Sequence, residues 1–242
     1  MRRLSPVSWA VFRLLVGQRL LNVEGNLFHI AEQHLSRPAG EMRRHQKIFE
    51  REQRLVFGHR LLIMHIGRRR AETPRAQRRQ QGIVIDESVT TGRQFSATTR
   101  GALPHCWLNS MGGSIGFGMP NAIGAALACP DRSVICMEGD GSAMYTEQSL
   151  WTMAREQLAI TVVIFANRSY AILRGEFNAV GAGSPGQRAT DMLSLDRPDL
   201  DWVAIARGHG VSAERVSDAA GFQSALSRGI ASRGPSLIEV WL

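Results

Sequence analysis

The stretch from Ser133 to Leu173 constrains the fold of this chain more than any other. A short apolar run, Val134 to Met137, is followed by a glycine turn and by a helical pattern from about Thr146 to Leu158. A second apolar run, Ile160 to Ala166, comes next. Strand, turn, helix and strand in this order form the βαβ unit of a parallel sheet. The stretch therefore predicts an α/β fold.

Polar residues follow both predicted strands. Asp140 lies in the turn after the first strand, and Asn167 follows the second strand, 27 residues later. Ligands of parallel sheets bind at the carboxyl ends of the strands, so we expect the two residues to face each other across one crevice. The chain bends after Asn167, so a backbone carbonyl such as that of Ser169 can turn into the same site. Three hard oxygen ligands of this kind suit Mg²⁺.

The glycine turn also predicts an anion site. Gly139 and Gly141 allow the backbone to turn sharply and to approach a ligand closely. The backbone amides of Gly141 and Ser142, with the helix that follows, can meet phosphate oxygens. The alternative is a plain βαβ unit whose Gly-Asp-Gly turn binds nothing.

The turn, the spacer and the asparagine at this distance resemble the thiamine diphosphate motif of the acetolactate synthase and benzoylformate decarboxylase group. That family usually shows two adjacent asparagines, of which the second binds the metal. This chain has Ala166-Asn167 and keeps the metal-binding position. The resemblance covers residues 83–242. It implies the family's carboxyl-terminal diphosphate-binding domain, a three-layer α/β sandwich around a mostly parallel sheet, with thiamine diphosphate and Mg²⁺ as cofactors.

The resemblance also implies which residues hold these cofactors. Ile115 matches the large apolar residue that props the cofactor in its bent form, and Gly113 matches the residue whose carbonyl accepts a hydrogen bond from the 4′-amino group. Thr90 and Thr91 match hydroxyl residues near the diphosphate, although capping of the next helix is an alternative role. The implied cofactor-binding residues are Thr90, Thr91, Gly113, Ile115, Gly139, Gly141 and Ser142, and the implied metal ligands are Asp140, Asn167 and Ser169.

Two other regions are predicted as loops. Arg93 to Ser110 contains His105, Cys106 and Trp107, and a lone histidine in a loop is more often structural or exposed than catalytic. Val180 to Gln187 is rich in glycine, and it follows Leu173 as a mobile loop of the kind that closes over ligands.

Charge divides the chain into two parts. Met1 to Gly82 holds 17 basic and 6 acidic residues, whereas Ile83 to Leu242 holds 12 basic and 15 acidic residues. The first part does not resemble the family, and we predict a basic extension that is partly helical or disordered. Basic stretches bind nucleic acid in many proteins, but this one has no recognisable nucleic-acid motif, so no such partner is expected.

The rest of the composition favours a cytoplasmic location and no membrane partner. No run approaches the roughly 18 apolar residues of a membrane span. The three cysteines have no metal-ligand spacing and lie in apolar settings, which favours reduced thiols.

The resemblance implies a decarboxylase or carboligase, a lyase or transferase, that acts on a 2-oxo acid. Complete enzymes of this kind carry a pyrimidine-binding domain with an activating glutamate, and neither Glu24 nor Glu32 lies in a matching context. We therefore identify no catalytic residue and leave open whether the chain is an enzyme. We expect a truncated form, inactive alone, that works as a homo-oligomer or with a chain supplying the pyrimidine domain. The alternative is a non-catalytic module or relic with a basic interaction arm.

Overall fold

Six parallel strands form a single sheet in this computed structural model, which describes residues 82–242 except 96–98, 100–101, 103–104, 111 and 182. The predictions made for residues 1–81 lie outside the described part. The strands are β1 (Ile83–Glu87), β2 (Cys106–Asn109), β3 (Val134–Gly139), β4 (Ile160–Ala166), β5 (Ser212–Val216) and β6 (Ser236–Trp241). Their order across the sheet is β2-β1-β3-β4-β6-β5.

Helices connect the strands and cover both faces of the sheet. They are α1 (Gly118–Ala128), α2 (Asp140–Ala143), α3 (Ser149–Arg155), α4 (Ala171–Ala179), α5 (Gln187–Met192), α6 (Trp202–Gly208) and α7 (Ala219–Ala231), with a 3-10 helix at Thr91–Gln94. None of the described helices is long and apolar enough to cross a membrane.

Two apolar cores lie on opposite faces of the sheet, which confirms the predicted α/β sandwich. One core packs α1, α3 and α6 against the sheet and contains the fully buried Trp202. The other packs α7 against the opposite face, where the Phe165 ring lies 5.4 Å from that of Phe95 and 6.4 Å from that of Phe222. Strands buried on both faces read as continuous apolar runs, which is why β3 and β4 stand out in the sequence.

The register of the central strands positions the site. Val134 pairs with Ile160 and Gly139 pairs with Phe165, so β3 and β4 end at almost the same level. Asp140 and Asn167, the polar residues that follow these strands, are therefore carried to the same edge of the sheet.

One of the two predictions of loops was wrong in part. The region from Arg93 to Ser110 contains strand β2, which pairs with β1 in parallel from Cys106 to Asn109. The other predicted loop, Val180 to Gln187, lies between α4 and the start of α5, although the sequence did not predict α4 itself. Between α4 and α5 the backbone passes through the left-handed region at Gly181 and Gly183, and the mobility predicted there stays a prediction.

Candidate functional site

The strand order creates a crevice beyond the carboxyl ends of β1 and β3. The chain passes from β1 to β2 on one side of this pair, and from β3 to β4 on the other. Such a change of direction opens a crevice in which α/β proteins bind their ligands. Glu87 ends β1 and Gly139 ends β3, so the residues that follow them border this crevice.

Asp140 is the most completely enclosed of the predicted metal ligands, with 3% of its surface exposed. It opens the short helix α2, and its Oδ1 accepts the Gly141 amide at 2.9 Å. Its Oδ2 accepts the Arg168 amide, beyond β4, at 2.6 Å. Burial raises the pKa of this carboxyl to about 6, because the two backbone amides offset only part of the lost hydration.

Asn167 and Ser169 lie in a tight turn after β4. The Asn167 side-chain oxygen accepts the Ser169 amide at 3.0 Å, and the Ser169 carbonyl accepts the Ala171 amide at 2.8 Å. Arg168 between them has φ +56°, a backbone conformation that usually requires glycine or asparagine. This turn aims the Arg168 amide at Asp140, so the two segments that carry the predicted ligands are hydrogen-bonded to each other.

The threonines after β1 do not serve as helix caps. Thr90 occupies the N-cap position of the 3-10 helix, but its side chain makes no capping hydrogen bond. The Thr91 hydroxyl is buried and has no hydrogen-bond partner among the described residues. A buried hydroxyl without a partner costs free energy, which fits a group that an additional ligand would satisfy.

The Tyr170 ring lies against the glycine turn after β3. A Cβ at Gly141 would lie 2.7 and 2.8 Å from ring carbons of Tyr170, so only glycine fits there. The Ser142 hydroxyl lies 3.0 Å from the Gly139 carbonyl and 3.2 Å from the Glu87 carbonyl. Since this hydroxyl is engaged within the protein, a phosphate role for Ser142 depends on its backbone amide.

The loop of residues 112–117, which we call the Ile115 loop, requires its glycines. Gly112, Gly113 and Gly116 have φ values of +73°, +71° and +88°. Ile115 is 47% exposed, although its side chain is large and apolar. No described atom lies within 4 Å of a Cβ built at Gly113. The two residues implied to hold the thiamine end of the cofactor thus have open space beside them.

Two buried glutamates border the crevice, and the sequence motifs predict no role for either. The Glu87 carboxylate accepts the amides of Gly116 and Gly118 at 2.6 and 2.7 Å. Glu138, one strand away, accepts from the Cys136 thiol at 3.4 Å and from the Ser142 hydroxyl at 3.3 Å. Burial raises the pKa of both carboxyls, and the neighbouring Glu87 charge raises that of Glu138 further. A glutamate among the last two residues of a largely apolar strand is the signal that could have found them.

The donors present fit thiamine diphosphate and Mg²⁺. In the described part of the chain, no three or more His, Cys, Asp and Glu side chains are grouped so that they could hold a metal ion. The predicted ligands are instead one carboxylate, one amide oxygen and one backbone carbonyl, and Mg²⁺ commonly takes few protein ligands together with substrate phosphates. Among the described residues the buried Thr91 hydroxyl has no hydrogen-bond partner, and a bound diphosphate would supply one.

Comparison with known proteins decides the family. Residues 90–240, more than half of the chain, match the family described as "Thiamine pyrophosphate enzyme, C-terminal TPP binding domain". The chain belongs to the thiamine pyrophosphate enzymes. Thiamine pyrophosphate is thiamine diphosphate, so the resemblance read from the Gly-Asp-Gly turn and Asn167 is confirmed.

Individual thiamine pyrophosphate enzymes show the same relationship. IlvX of Mycobacterium tuberculosis, which carries the name of an acetolactate synthase large subunit, is 51% identical over 162 residues, 66% of this chain and 32% of IlvX. Benzoylformate decarboxylase of Pseudomonas aeruginosa is 35% identical over 161 residues, 66% of this chain and 29% of that enzyme.

A solved structure agrees with these relatives. The thiamine diphosphate-dependent 4-hydroxybenzoylformate decarboxylase of Rhodococcus jostii RHA1 superposes with a TM-score of 0.59 at 34% identity, over 66% of this chain and 29% of that one. The chain therefore spans about a third or less of the length of the thiamine pyrophosphate enzymes it matches here.

Proposed function

We propose that the domain binds thiamine diphosphate together with Mg²⁺, as the diphosphate-binding half of a 2-oxo acid decarboxylase or carboligase. Asp140 carries the proposal. Its carboxylate is buried, is fixed by backbone amides from two segments and follows the glycine turn at the switch point of the sheet. A buried carboxylate is costly unless a cation or hydrogen bonds compensate its charge, and a bound Mg²⁺ would supply such a cation.

Each part of the crevice takes a different part of the cofactor in this proposal. Mg²⁺ is held by the side-chain oxygens of Asp140 and Asn167 and by the Ser169 carbonyl. The diphosphate lies against the Gly139–Ser142 turn and against Thr90 and Thr91. The thiamine end lies against Gly113 and Ile115.

Bound thiamine diphosphate supplies an electron sink for the decarboxylation of a 2-oxo acid, and the protein supplies binding and orientation. The described residues act on the cofactor's position. Asp140 offers a charge to the metal, and the exposed Ile115 offers an apolar surface against which a bent cofactor rests. The names of the relatives, acetolactate synthase and benzoylformate decarboxylase, support a 2-oxo acid as the substrate class.

Turnover depends on a second component in this proposal. The chain spans a third or less of these relatives, and the activating glutamate of the family is expected on a pyrimidine domain. We infer a homo-oligomer or an assembly with a chain that supplies that domain. The name of IlvX, an acetolactate synthase large subunit, supports assembly. The three cysteines are free thiols, which supports a cytoplasmic location.

Calorimetric titration of thiamine diphosphate, with and without Mg²⁺, tests the binding site. The wild-type chain is expected to bind only with Mg²⁺. Asp140→Asn keeps the shape of the side chain but removes its charge, so its Mg²⁺-dependent affinity is expected to fall at least ~10-fold, about 1.4 kcal/mol.

Asp131→Asn is the matched control, because Asp131 is exposed and precedes the opposite, amino end of β3. It is expected to bind as the wild type does. Equal binding by the Asp140 variant, or tight binding without Mg²⁺, would refute the assigned metal site.

A further inference from the structure

Glu87 joins three backbone segments that border the crevice. Its carboxylate binds the amides on both sides of Phe117, at the end of the Ile115 loop and at the start of α1. Its own carbonyl accepts from the hydroxyl of Ser142, in the turn after β3. The residue itself ends β1, directly before the turn that leads to Thr90 and Thr91.

The two carboxylate contacts have the character of strong hydrogen bonds. The N–H···O distances of 2.6 and 2.7 Å are at or below the short end of the range for a charged acceptor. Glu87 is 4% exposed, so water does not compete for its oxygens. Each oxygen takes a different amide, which fixes the separation of Gly116 and Gly118 as well as their orientation.

The Ile115 loop needs such anchors because its own sequence does not fix its shape. Three of its six residues are glycines with positive φ, and glycine has the greatest conformational freedom of any residue. Ile115 is half exposed and so gains little from packing. One further anchor comes from the opposite side, where the Thr146 hydroxyl donates to the Gly116 carbonyl at 3.1 Å.

We propose that Glu87 is a positioning residue, whose carboxylate holds the Ile115 loop where Gly113 and Ile115 can receive the thiamine end of the cofactor. The identity of the ligand rests on the proposed function, whereas the effect of Glu87 on the loop does not depend on that function. The hydrogen bonds of Glu87 reach Gly116, Gly118 and Ser142 and not the predicted metal ligands, so we expect it to act through the loop.

Glu87→Gln tests the proposal with little change in size. A glutamine oxygen accepts one amide, whereas its NH₂ group cannot accept the other, so one hydrogen bond is lost. Amide hydrogen exchange on the ligand-free chain is the first measurement. Exchange at Gly116 and Gly118 is expected to speed up at least ~10-fold, while the amides of β3 and β4 exchange as in the wild type.

Two further variants separate positioning from general stability. Thr146→Val removes the opposite anchor and is expected to speed up exchange in the same loop. Glu138→Gln changes an equally buried carboxyl that accepts no amide of the loop, and the glutamine NH₂ can still donate to Glu87, so the variant is expected to leave Gly116 and Gly118 protected. Unchanged exchange in Glu87→Gln, or faster exchange spread evenly over the sheet, would overturn the proposal.

Binding supplies the second measurement. With Mg²⁺ present, Glu87→Gln is expected to weaken the binding of thiamine diphosphate at least ~5-fold. The affinity for inorganic diphosphate is expected to stay unchanged, because this ligand does not reach the Ile115 loop. Equal weakening of both ligands would contradict a role at the thiamine end. If the wild type binds neither ligand, the proposed function fails, and the exchange measurement still decides whether Glu87 holds the loop.

Discussion

The two glutamates at the ends of β1 and β3 show how much one residue can control in this domain. Both are almost completely buried, and a Cβ at Gly118 would meet oxygens of both. Glu87 has two amide partners suited to a charged carboxylate, whereas Glu138 has only side-chain partners. We therefore expect Glu138 to keep its proton to a higher pH than Glu87 does.

This difference predicts a pH dependence of stability. The folded-state pKa of Glu138 is raised well above 4.5, so above that pH the unfolded chain loses its proton while the folded chain keeps it. The folded state then binds more protons, and stability falls as pH rises, by up to about 1.4 kcal/mol per pH unit. Glu138→Gln removes this loss. In urea denaturation, the free energy of unfolding of the variant is expected to rise relative to that of the wild type between pH 5 and pH 7.5.

Parallel stability curves for the two proteins over this range would contradict the assignment of the proton to Glu138. If the free energy of unfolding of the wild type instead rose relative to that of the variant as pH rises, the pKa of Glu138 would be shifted in the opposite direction.

At this scale the sequence revealed the polar groups that follow the strands but not the two glutamates within the last residues of the strands. Asp140 and Asn167 follow apolar runs, so their position could be predicted. Glu87 could be read as polar, but its partners Gly116 and Gly118 lie about 30 residues further along the chain. No local pattern reports such a contact.

Two glycines of helix α1, Gly118 and Gly124, differ in the space that surrounds them. Gly118 begins the helix, and an added Cβ would lie 2.0 Å from Glu138 Oε1 and 3.0 Å from Glu87 Oε2. Gly124 lies on the exposed side of the same helix, with no described atom within 4 Å of an added Cβ. One glycine is required by packing, and the other only weakens the helix.

Alanine substitutions on α1 are therefore expected to have opposite signs. Gly118→Ala forces two buried carboxylates apart and is expected to lower the free energy of unfolding by about 1–3 kcal/mol. Gly124→Ala improves helix propensity and is expected to raise it by up to about 1 kcal/mol. Chemical denaturation of both variants measures the difference. Equal effects of the two substitutions would show that the carboxylates do not press on Gly118.

The elements that sequence reasoning found and missed differ in burial. Strand β4 was predicted from Ile160 to Ala166, as observed, because all seven of its residues are buried and apolar enough to form one run. Strand β2 has no fully buried residue, and α4 has none either. Elements on the surface leave only a weak apolar pattern in the sequence. Strand β2 was therefore predicted as part of a loop.

In the proposed function, the whole domain is the diphosphate-binding half of an active site. The parallel sheet brings the glycine turn, the Asn167 turn and the Ile115 loop to one crevice, and the activating glutamate of the family is expected on a pyrimidine domain. The catalytic alternative and the non-catalytic alternative therefore differ in what a second chain adds.

Complementation distinguishes these alternatives. Adding a protein that carries a pyrimidine domain of this family is expected to produce Mg²⁺-dependent turnover of a 2-oxo acid, which neither chain shows alone. The Asp140→Asn chain is the control and is expected to give no turnover. Loss of CO₂ from the 2-oxo acid is the measurement. No turnover, with thiamine diphosphate bound, would favour a binding module or relic.

A chain that begins at Gly82 extends the same experiment to the basic extension. Equal turnover with and without residues 1–81 would show that the extension has no part in the reaction. A requirement for it would make the extension a functional part of the assembly.

The parallel sheet also decides how this protein can be tagged or fixed to a surface. The Leu242 amide donates to the Ala166 carbonyl at 3.1 Å, so a label or linker added after Leu242 starts beside the turn that carries Asn167. Gly82 precedes β1 and lies at the other rim of the sheet. Biosensor coupling, affinity tags and fused reporters therefore belong at the amino end of a chain that starts there, where they leave the entrance for the cofactor open.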